Sequence, residues 1–417
     1  MAVDHEQRFR IGLLGYGTVG SAFAELVVER ADSIATGFGV RPEIVGILRR
    51  SQGSFDEILA DSDVVVELIG GIDPARTYVR EALQQGKHVV TANKQLISQY
   101  GDELLDLASQ HGVQLRFEAA VAGVVPVVRV VEESLAGAHI EKVHGIVNGT
   151  TNFILSEMAQ TGADYAACLM KAQELGYAEA DPTEDVNGKD AAAKMAILAR
   201  LAFHCSVRLD QVEFEGIEDL TPDDIAYARE FGLSLKLLGV AERLNVNEDE
   251  GISVRVYPCF LYSGHPLAAV IGPYNAVTME SPAITEVTLS GPGAGGPQTA
   301  SAVLGDVVSA MTGTIGVLPT PRRATIIPGE LVSSAFYLHV EVKDEPGALA
   351  QIAQYLGDSG VSVKSAAQKG LGDNARLIMV MHPVEESRFQ EALKRIAGLD
   401  VLRAPPRVIR VIEEEFV

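Results

Sequence analysis

FRIGLLGYGTVGSAFAELVVE, residues 9–29, is the stretch on which the fold turns. Phe9–Leu14 is an apolar run of strand length, and from Ser21 to Glu29 the apolar residues recur with helical spacing. Between them, Gly15-Tyr16-Gly17-Thr18-Val19-Gly20 is a GxGxxG with a strand before it and a helix after it, the context that gives this pattern a physical meaning. Gly15 permits the tight turn, Gly17 admits a pyrophosphate close to the backbone, and Gly20 lets helix pack on strand. A pyrophosphate would meet the free N–H groups at the helix start. All six loop residues are candidate dinucleotide contacts; the alternative is a glycine-rich turn in some other α/β protein.

Strands and helices go on alternating past this stretch. Glu43–Leu48 is a strand ending in Arg49-Arg50. An acidic residue there would hydrogen-bond an adenosine ribose, whereas arginine accommodates a 2′-phosphate, which favours NADP(H) over NAD(H). Asp63–Ile69 is a buried strand, Ala75–Gln85 a helix, Lys87–Thr91 a strand, Leu96–His111 a helix and Gln114–Glu118 a strand. Such alternation gives a doubly wound parallel sheet. Ligands lie outside the carboxyl ends of its strands. Gly70-Gly71, Thr91–Lys94 and Glu118–Val125 fall there, so Lys94 is a candidate site lysine, unless it is a solvated loop residue.

After Val131 the pattern changes. Glu141–Asn148 is a strand and Gly149–Gln160 a helix. An acidic loop follows with Glu179, Asp181, Glu184 and Asp185 close together. Asn187 is then the expected N-cap of a helix reaching Leu201, with Asp190 its capping-box partner. Asp190 and Lys194 stand at i and i+4 on one helix face. Nearly every other position is small or apolar, and a helix apolar all round is buried. The pair therefore faces a polar cavity, or else is an ordinary surface ion pair. Ile252–Leu261, Ala276–Glu280 and Glu286–Ser290 are strands of an antiparallel or mixed sheet, an α+β substrate and dimerisation region. Gly291–Gly296 then leads into a helix over Thr299–Thr312, a second approach to the dinucleotide or a plain connector.

Composition bounds the rest. A chain of 417 residues holds two or three domains. A net charge of −22 argues against nucleic acid or an anionic membrane as partner. Three well-separated cysteines give neither a disulfide framework nor a zinc motif and suit a reducing cytoplasm. The polar start MAVDHEQRFR lacks an apolar signal core. The most apolar run, Ala119–Val131, is too short and too broken to span a bilayer.

Taken together, GYGTVG at 15–20, VTANK at 90–94, EAAVAGVVP at 118–126, NGTTNFIL at 148–155, LGYAEADPTEDVNGKDAAAK at 175–194 and GPGAGGPQTASAVLGD at 291–306 resemble homoserine dehydrogenases over essentially the whole length. With no aspartate-kinase domain ahead of these motifs, the expected form is the monofunctional one with a C-terminal ACT domain. The resemblance implies NAD(P)-dependent interconversion of L-homoserine and L-aspartate 4-semialdehyde, on the branch to threonine, methionine and isoleucine. It makes Lys194 the general acid/base and Glu179 and Asp190 the homoserine-binding carboxylates, with Asp185 a neighbouring acid of the same loop. Lys94 stands near substrate and nicotinamide, Thr91 lies in the same cofactor motif, and Gly176 and Gly295 contact the cofactor. It also implies a monovalent cation, Na⁺, held by Glu118 and the carbonyls of Val121, Gly123 and Val125. A homodimer or homotetramer in the cytoplasm is expected. The chemistry agrees: reducing an aldehyde needs a donor to protonate the forming alkoxide, and a lysine can serve. The competing assignments are another dehydrogenase carrying an ACT domain, such as a prephenate dehydrogenase, and a non-catalytic amino-acid sensor.

Prolines 319, 321 and 328 punctuate a linker over 318–333. Beyond it the order is βαββαβ: Ala335–Val342, Gly347–Leu356, Val361–Gln368, Ala375–His382, Glu385–Ala397 and Val401–Val411, the ferredoxin-like arrangement. Asp344-Glu345-Pro346-Gly347 resembles the first strand–helix turn of ACT domains, which implies an amino-acid effector there, L-threonine. The expected organisation is a dinucleotide domain at 1–136 completed by 297–317, a substrate domain at 137–296, the linker, and an ACT domain at 334–417.

Overall fold

Val64-Val65-Val66 is buried on both faces, as only a central strand of a covered parallel sheet can be. The computed structural model describes residues 7–246, 249–313, 322–372 and 375–412. Its N-terminal part runs β1 (Gln7–Leu14), α1 (Thr18–Phe38), β2 (Val40–Leu48), α2 (Phe55–Asp61), β3 (Val64–Glu67), α3 (Ala75–Gln84), β4 (His88–Thr91), α4 (Lys94–Gln110) and β5 (Leu115–Arg116). The sheet order is β2-β1-β3-β4-β5 and every neighbouring pair is parallel. α1 outruns the expected Glu29 because Ala31 and Ile34 continue its buried stripe, and it stops at Gly39 in the left-handed region. β5 is shorter than expected, and Glu118 opens a 3₁₀ turn, Glu118–Ala120, instead of ending a strand.

The chain divides into two compact units, Met1–Gly149 with Asp190–Val212 and Pro273–Ala324, and Thr150–Lys189 with Glu213–Gly272 and Thr325–Val417. In the first, the helix Gly296–Thr312 returns to α1. Its Ala300, Val303 and Val307 close a core with Ile11 and Leu13 of β1, Phe23 and Val27 of α1, and Val64 and Val66 of β3. The same unit holds Lys142–Ile146 paired antiparallel with Tyr274–Ser281, which pairs with Thr285–Pro292.

In the second unit Leu233–Val246 and Asp249–Tyr262 form a long antiparallel hairpin. The first of these strands had no sequence signal: LSLKLLGV is leucine-rich, not β-branched, and buried Lys236 interrupts any alternation. Asp249–Tyr262 pairs in parallel with Arg407–Ile412, and the order continues through Ser333–Glu341 and Arg376–Met381 to Val363–Lys369. With the helices Ala348–Asp358 and Glu386–Ala397 this is the expected ferredoxin-like module. Phe336 stacks on Phe389 at 4.1 Å in its core. The expected last strand from Val401 begins only at Arg407, because Pro405-Pro406 cannot join a ladder. Pro319 and Pro321 lie outside the described residues, as do residues 314–317 of the segment expected to complete the first domain; Pro328 precedes the 3₁₀ turn Gly329–Leu331.

The other face of that sheet carries the helix Pro222–Glu230, held by a basic residue from three of the four strands, with a histidine of the fourth beside it. Asp223 pairs with Arg376 at 3.1 Å, Asp224 with Arg407 at 2.5 Å, and Glu230 with Lys369; His339 lies 3.6 Å from Asp224.

Candidate active site

Lys94 is the first residue of α4 and emerges directly after β4. Its position is fixed from below. Buried Glu67 accepts N–H bonds from Ile69 and Gly70 at 2.7 and 3.1 Å on one carboxylate oxygen, and the Thr91 hydroxyl bond at 2.6 Å on the other. Thr91 Oγ1 in turn accepts from the Asn93 N–H. The Asn93 side chain caps α4 through the Leu96 N–H and donates to the Gly71 carbonyl at 2.6 Å. The Thr91 hydroxyl is thus spent on supporting the strand end.

Asp190 and Lys194 lie in the helix Lys189–Phe203, whose residues from Asp190 onward are buried except Lys194 at the face of the site. The Lys194 ammonium donates to Asp190 Oδ2 and to the Val147 carbonyl, both at 2.7 Å. Lys94 donates to Asp190 Oδ1, and the Asn148 amide donates to Oδ2 at 2.8 Å. Burial would raise the pKa of this carboxyl, but the two lysines outweigh it and hold it below the ordinary carboxylate range. Two ammonium groups on one carboxylate leave a net positive site beyond the carboxyl end of β4, suited to an oxyanion that forms during reaction. The expected capping box is not formed. Asn187 instead closes the short helix Thr183–Val186 and its side chain accepts from the Lys189 N–H, while two buried ion pairs claim the Asp190 carboxylate.

The dinucleotide loop has the geometry its glycines call for. Gly15 has φ +100, and a Cβ there would stand 2.5 Å from the Leu68 carbonyl oxygen. A Cβ on Gly20 would stand 2.2 Å from the Gly15 oxygen, so α1 can sit this close to the turn only with glycine. At Gly17, the N-cap of α1, a Cβ would meet nothing, and α1 has neither a side-chain cap nor an acidic residue in its first turn. That open, uncapped helix start fits a pyrophosphate. Arg49 stacks over the ring of Tyr16 at 4.0 Å, and Arg50 is exposed in the following turn. The second glycine loop meets the first: a Cβ on Gly296 would be 3.2 Å from the Thr18 carbonyl oxygen. This sets the start of the Gly296–Thr312 helix against the first turn of α1.

The turn after β5 holds the residues expected to bind a cation, Glu118, Val121, Gly123 and Val125. Ala122 and Gly123 are both left-handed, at φ 56 and 67, and a Cβ on Gly123 would lie 2.4 Å from the Gly293 oxygen. Glu118 accepts the N–H bonds of Val128 and Arg129, both at 2.9 Å, and its own N–H donates to Asp306 at 2.8 Å. Burial and the neighbouring Asp306 push the Glu118 carboxyl up to about 7, and burial pushes Asp306 up to about 6 against the pull of Arg129. The Arg129 guanidinium pairs with Asp306 at 3.2 Å while its backbone N–H bonds Glu118, so two buried carboxyls lie beside a single cationic side chain, an environment that favours a further cation. Among the described residues there is no group of three or more His, Cys, Asp or Glu that could hold a metal ion.

The remaining expected residues lie in the second unit. Gly176 is exposed and left-handed; Glu179 is exposed, with its carbonyl taking the Gln173 amide. The acids are not a free cluster: Asp181 is bonded by Thr183 and Glu184 pairs with Lys189 at 2.6 Å, while Asp185 is half-buried beside them. Asp344 accepts from Gln368 and from the Gly372 N–H, tying two turns together next to Pro346 and the left-handed Gly347 that starts a helix.

Sequence reasoning missed Glu67, Asn148, Arg129 and Asp306. Asp306 had a signal, a lone charge on a helix of small residues; Glu67 and Asn148 had none beyond their place at or just after a strand end, and Arg129 was only a break in an apolar run.

A covered parallel sheet with an uncapped dinucleotide loop and paired ammonium groups at a strand's carboxyl end defines an NAD(P)-dependent oxidoreductase acting on a CH–OH group. Homoserine dehydrogenase, NAD binding domain, matches residues 15–118, Homoserine dehydrogenase matches 126–308, and ACT domain matches 336–401. The homoserine dehydrogenase of Corynebacterium glutamicum is 43% identical over 96% of this chain and 95% of its own. The solved homoserine dehydrogenase of Thiobacillus denitrificans superposes with a TM-score of 0.92 at 36% identity, covering 98% and 99% of the two chains. A hyperthermophilic archaeal homoserine dehydrogenase solved in complex with NADPH is 28% identical with a TM-score of 0.63, over 76% of this chain and all of that one. The chain belongs to the homoserine dehydrogenase family.

Proposed function

We propose that the chain interconverts L-homoserine and L-aspartate 4-semialdehyde, a step towards threonine, methionine and isoleucine, with Lys194 as the group that gives or takes the proton on the substrate oxygen. The observation that carries this is the convergence of Lys94 and Lys194 on buried Asp190. Asp190 and the Val147 carbonyl hold Lys194 by acceptors only, which leaves it an N–H to offer the substrate. Lys94 adds a second positive charge where the alkoxide forms. Glu179, Asp185 and Asp190 supply the carboxylates that a substrate α-ammonium requires. Gly15–Gly20, Gly295, Thr91, Lys94 and Gly176 would hold the dinucleotide, whose nicotinamide would supply or accept the hydride.

NADP(H) is the favoured cofactor in this proposal. Arg49, stacked beside the loop with Arg50 following, suits a 2′-phosphate, and the archaeal relative was solved with NADPH. A monovalent cation, Na⁺, sits at Glu118, Val121, Gly123 and Val125. Residues 1–136 with 297–317 carry the cofactor, 137–296 the substrate and the contacts of a homodimer or homotetramer, and 334–417, after the linker 318–333, the effector. L-threonine binds at Asp344, Pro346 and Gly347, where free helix N–H groups suit its carboxylate, and inhibits the cytoplasmic enzyme.

Following nicotinamide absorbance with aspartate semialdehyde and with homoserine, using each cofactor, tests the reaction; turnover with neither substrate refutes it. Calorimetry with threonine, isoleucine and methionine tests the effector, and an absence of heat with all three removes it.

A further inference from the structure

Lys94 and Lys194 stand on different helices, yet the proposed chemistry needs both within reach of one substrate oxygen. Asp190 ties them at the site itself. A second tie lies farther along both helices. Arg200 is on the Lys189–Phe203 helix, roughly 9 Å beyond Lys194 at 1.5 Å per residue, and is 4% exposed. Its Nη1 donates to the Ile97 carbonyl in the first turn of α4 at 2.9 Å, and its Nη2 to the Val207 carbonyl at 3.2 Å. Its Nε lies 3.1 Å from Asp102 Oδ1 of α4, an ion pair whose angle falls short of a hydrogen bond. Asp102 is itself held by the Ser206 hydroxyl.

α4 is shaped to receive this group. Gly101 occupies its interior, where glycine costs about 1 kcal/mol against alanine, and a Cβ there would lie 1.9 Å from Arg200 Nη1. The guanidinium therefore rests on bare backbone. Only arginine's planar fork serves several acceptors in fixed directions; a lysine offers one point charge. A buried charge spanning two carbonyls and a carboxylate adds little net stability once its desolvation is counted. It does fix a distance.

We propose that Arg200 is a positioning residue for the reaction: seated on Gly101 and bound to Ile97 and Asp102, it sets the placement of α4, and so of Lys94, relative to Lys194 across Asp190. Without Arg200, the strand-end network below Lys94 would still hold the start of α4. Of these polar ties between the two helices, however, Asp190 alone would remain, and a small shift of α4 against the Lys189–Phe203 helix would disturb the alignment that hydride and proton transfer require.

The test compares Arg200→Lys and Asp102→Asn with the parent, scoring kcat per NADPH-binding site and the KM of each substrate. A role in stability alone lowers the melting temperature and the number of binding sites but leaves kcat per site unchanged. The expected result is a roughly 10–100-fold loss of kcat per site in Arg200→Lys and a smaller loss in Asp102→Asn, with the NADPH KM within about twofold. If Arg200→Lys yields no NADPH-binding protein, Asp102→Asn, at a partly exposed side chain, decides. A kcat per site within about twofold of the parent in the variants that fold overturns the inference. It rests on the lysines carrying the chemistry, so Lys194→Ala is run alongside. If that variant turns over like the parent, the assignment of Lys194 fails; if it is inactive while the others match the parent, the role of Arg200 alone fails.

Discussion

Asp190 holds one carboxylate against three donors from three parts of the chain, Lys94, Lys194 and the Asn148 amide. Its i,i+4 relation to Lys194 was visible because helical spacing is a property of local sequence. Lys94, far away in the chain, was not visible as a second partner, and two ammonium groups, one of them partly exposed, outbid a backbone N–H for its oxygens. The place of Arg49 just after β2 is likewise a property of local sequence, whereas its stack on Tyr16 is a tertiary contact that local sequence does not carry. Arg49→Asp should lower the NADPH-to-NADH ratio of kcat/KM by about 10–100-fold, the loss of one charged hydrogen bond, as read from initial rates with both cofactors. His265 gives a pH prediction. Burial lowers its pKa to about 4, and its Nδ1 accepts the Leu267 N–H at 3.1 Å, which requires the neutral ring. Between about 4 and 6.5 the unfolded chain binds the proton that the folded chain refuses, so this contribution is full above 6.5 and is lost as pH falls towards 4. His265→Asn keeps a capping oxygen and does not titrate. Urea midpoints at pH 7 and 5 should therefore differ less in the variant than in the parent.

At the scale of elements, the parallel sheet was legible because each strand is a short apolar run between turn signals, and β1 through β4 lie within a few residues of expectation. The elements without such signals were missed: the helix Pro222–Glu230, the helix Tyr165–Glu174 and the leucine-rich strand Leu233–Val246. The first of these has a physical role. Asp224 is wholly buried, caps its own helix through Thr221 and takes Arg407 from the ferredoxin-like sheet. Burial would raise its pKa, but His339, Thr221 and Arg407 hold it low. Asp224→Ala removes both cap and ion pair, and should cost about 2–4 kcal/mol. A fall in the urea midpoint at unchanged slope measures it.

For the whole molecule, net charge argued against nucleic acid and an anionic membrane as partners but located nothing, and among the described residues no helix is long and apolar enough to cross a membrane. The site was located by motifs that each end a strand or start a helix: GYGTVG, VTANK and the Asp190–Lys194 helix. What sequence could not give is how residues about a hundred positions apart meet, since that follows from the crossovers of the sheet and not from local pattern. The most direct measurement is a single turnover of enzyme-bound NADPH with aspartate semialdehyde in the parent and in Lys194→Ala. NADPH binding should be unchanged and oxidation slowed at least about 100-fold, the usual worth of a positioned proton donor; oxidation at the parental rate would show that the proton does not pass through Lys194.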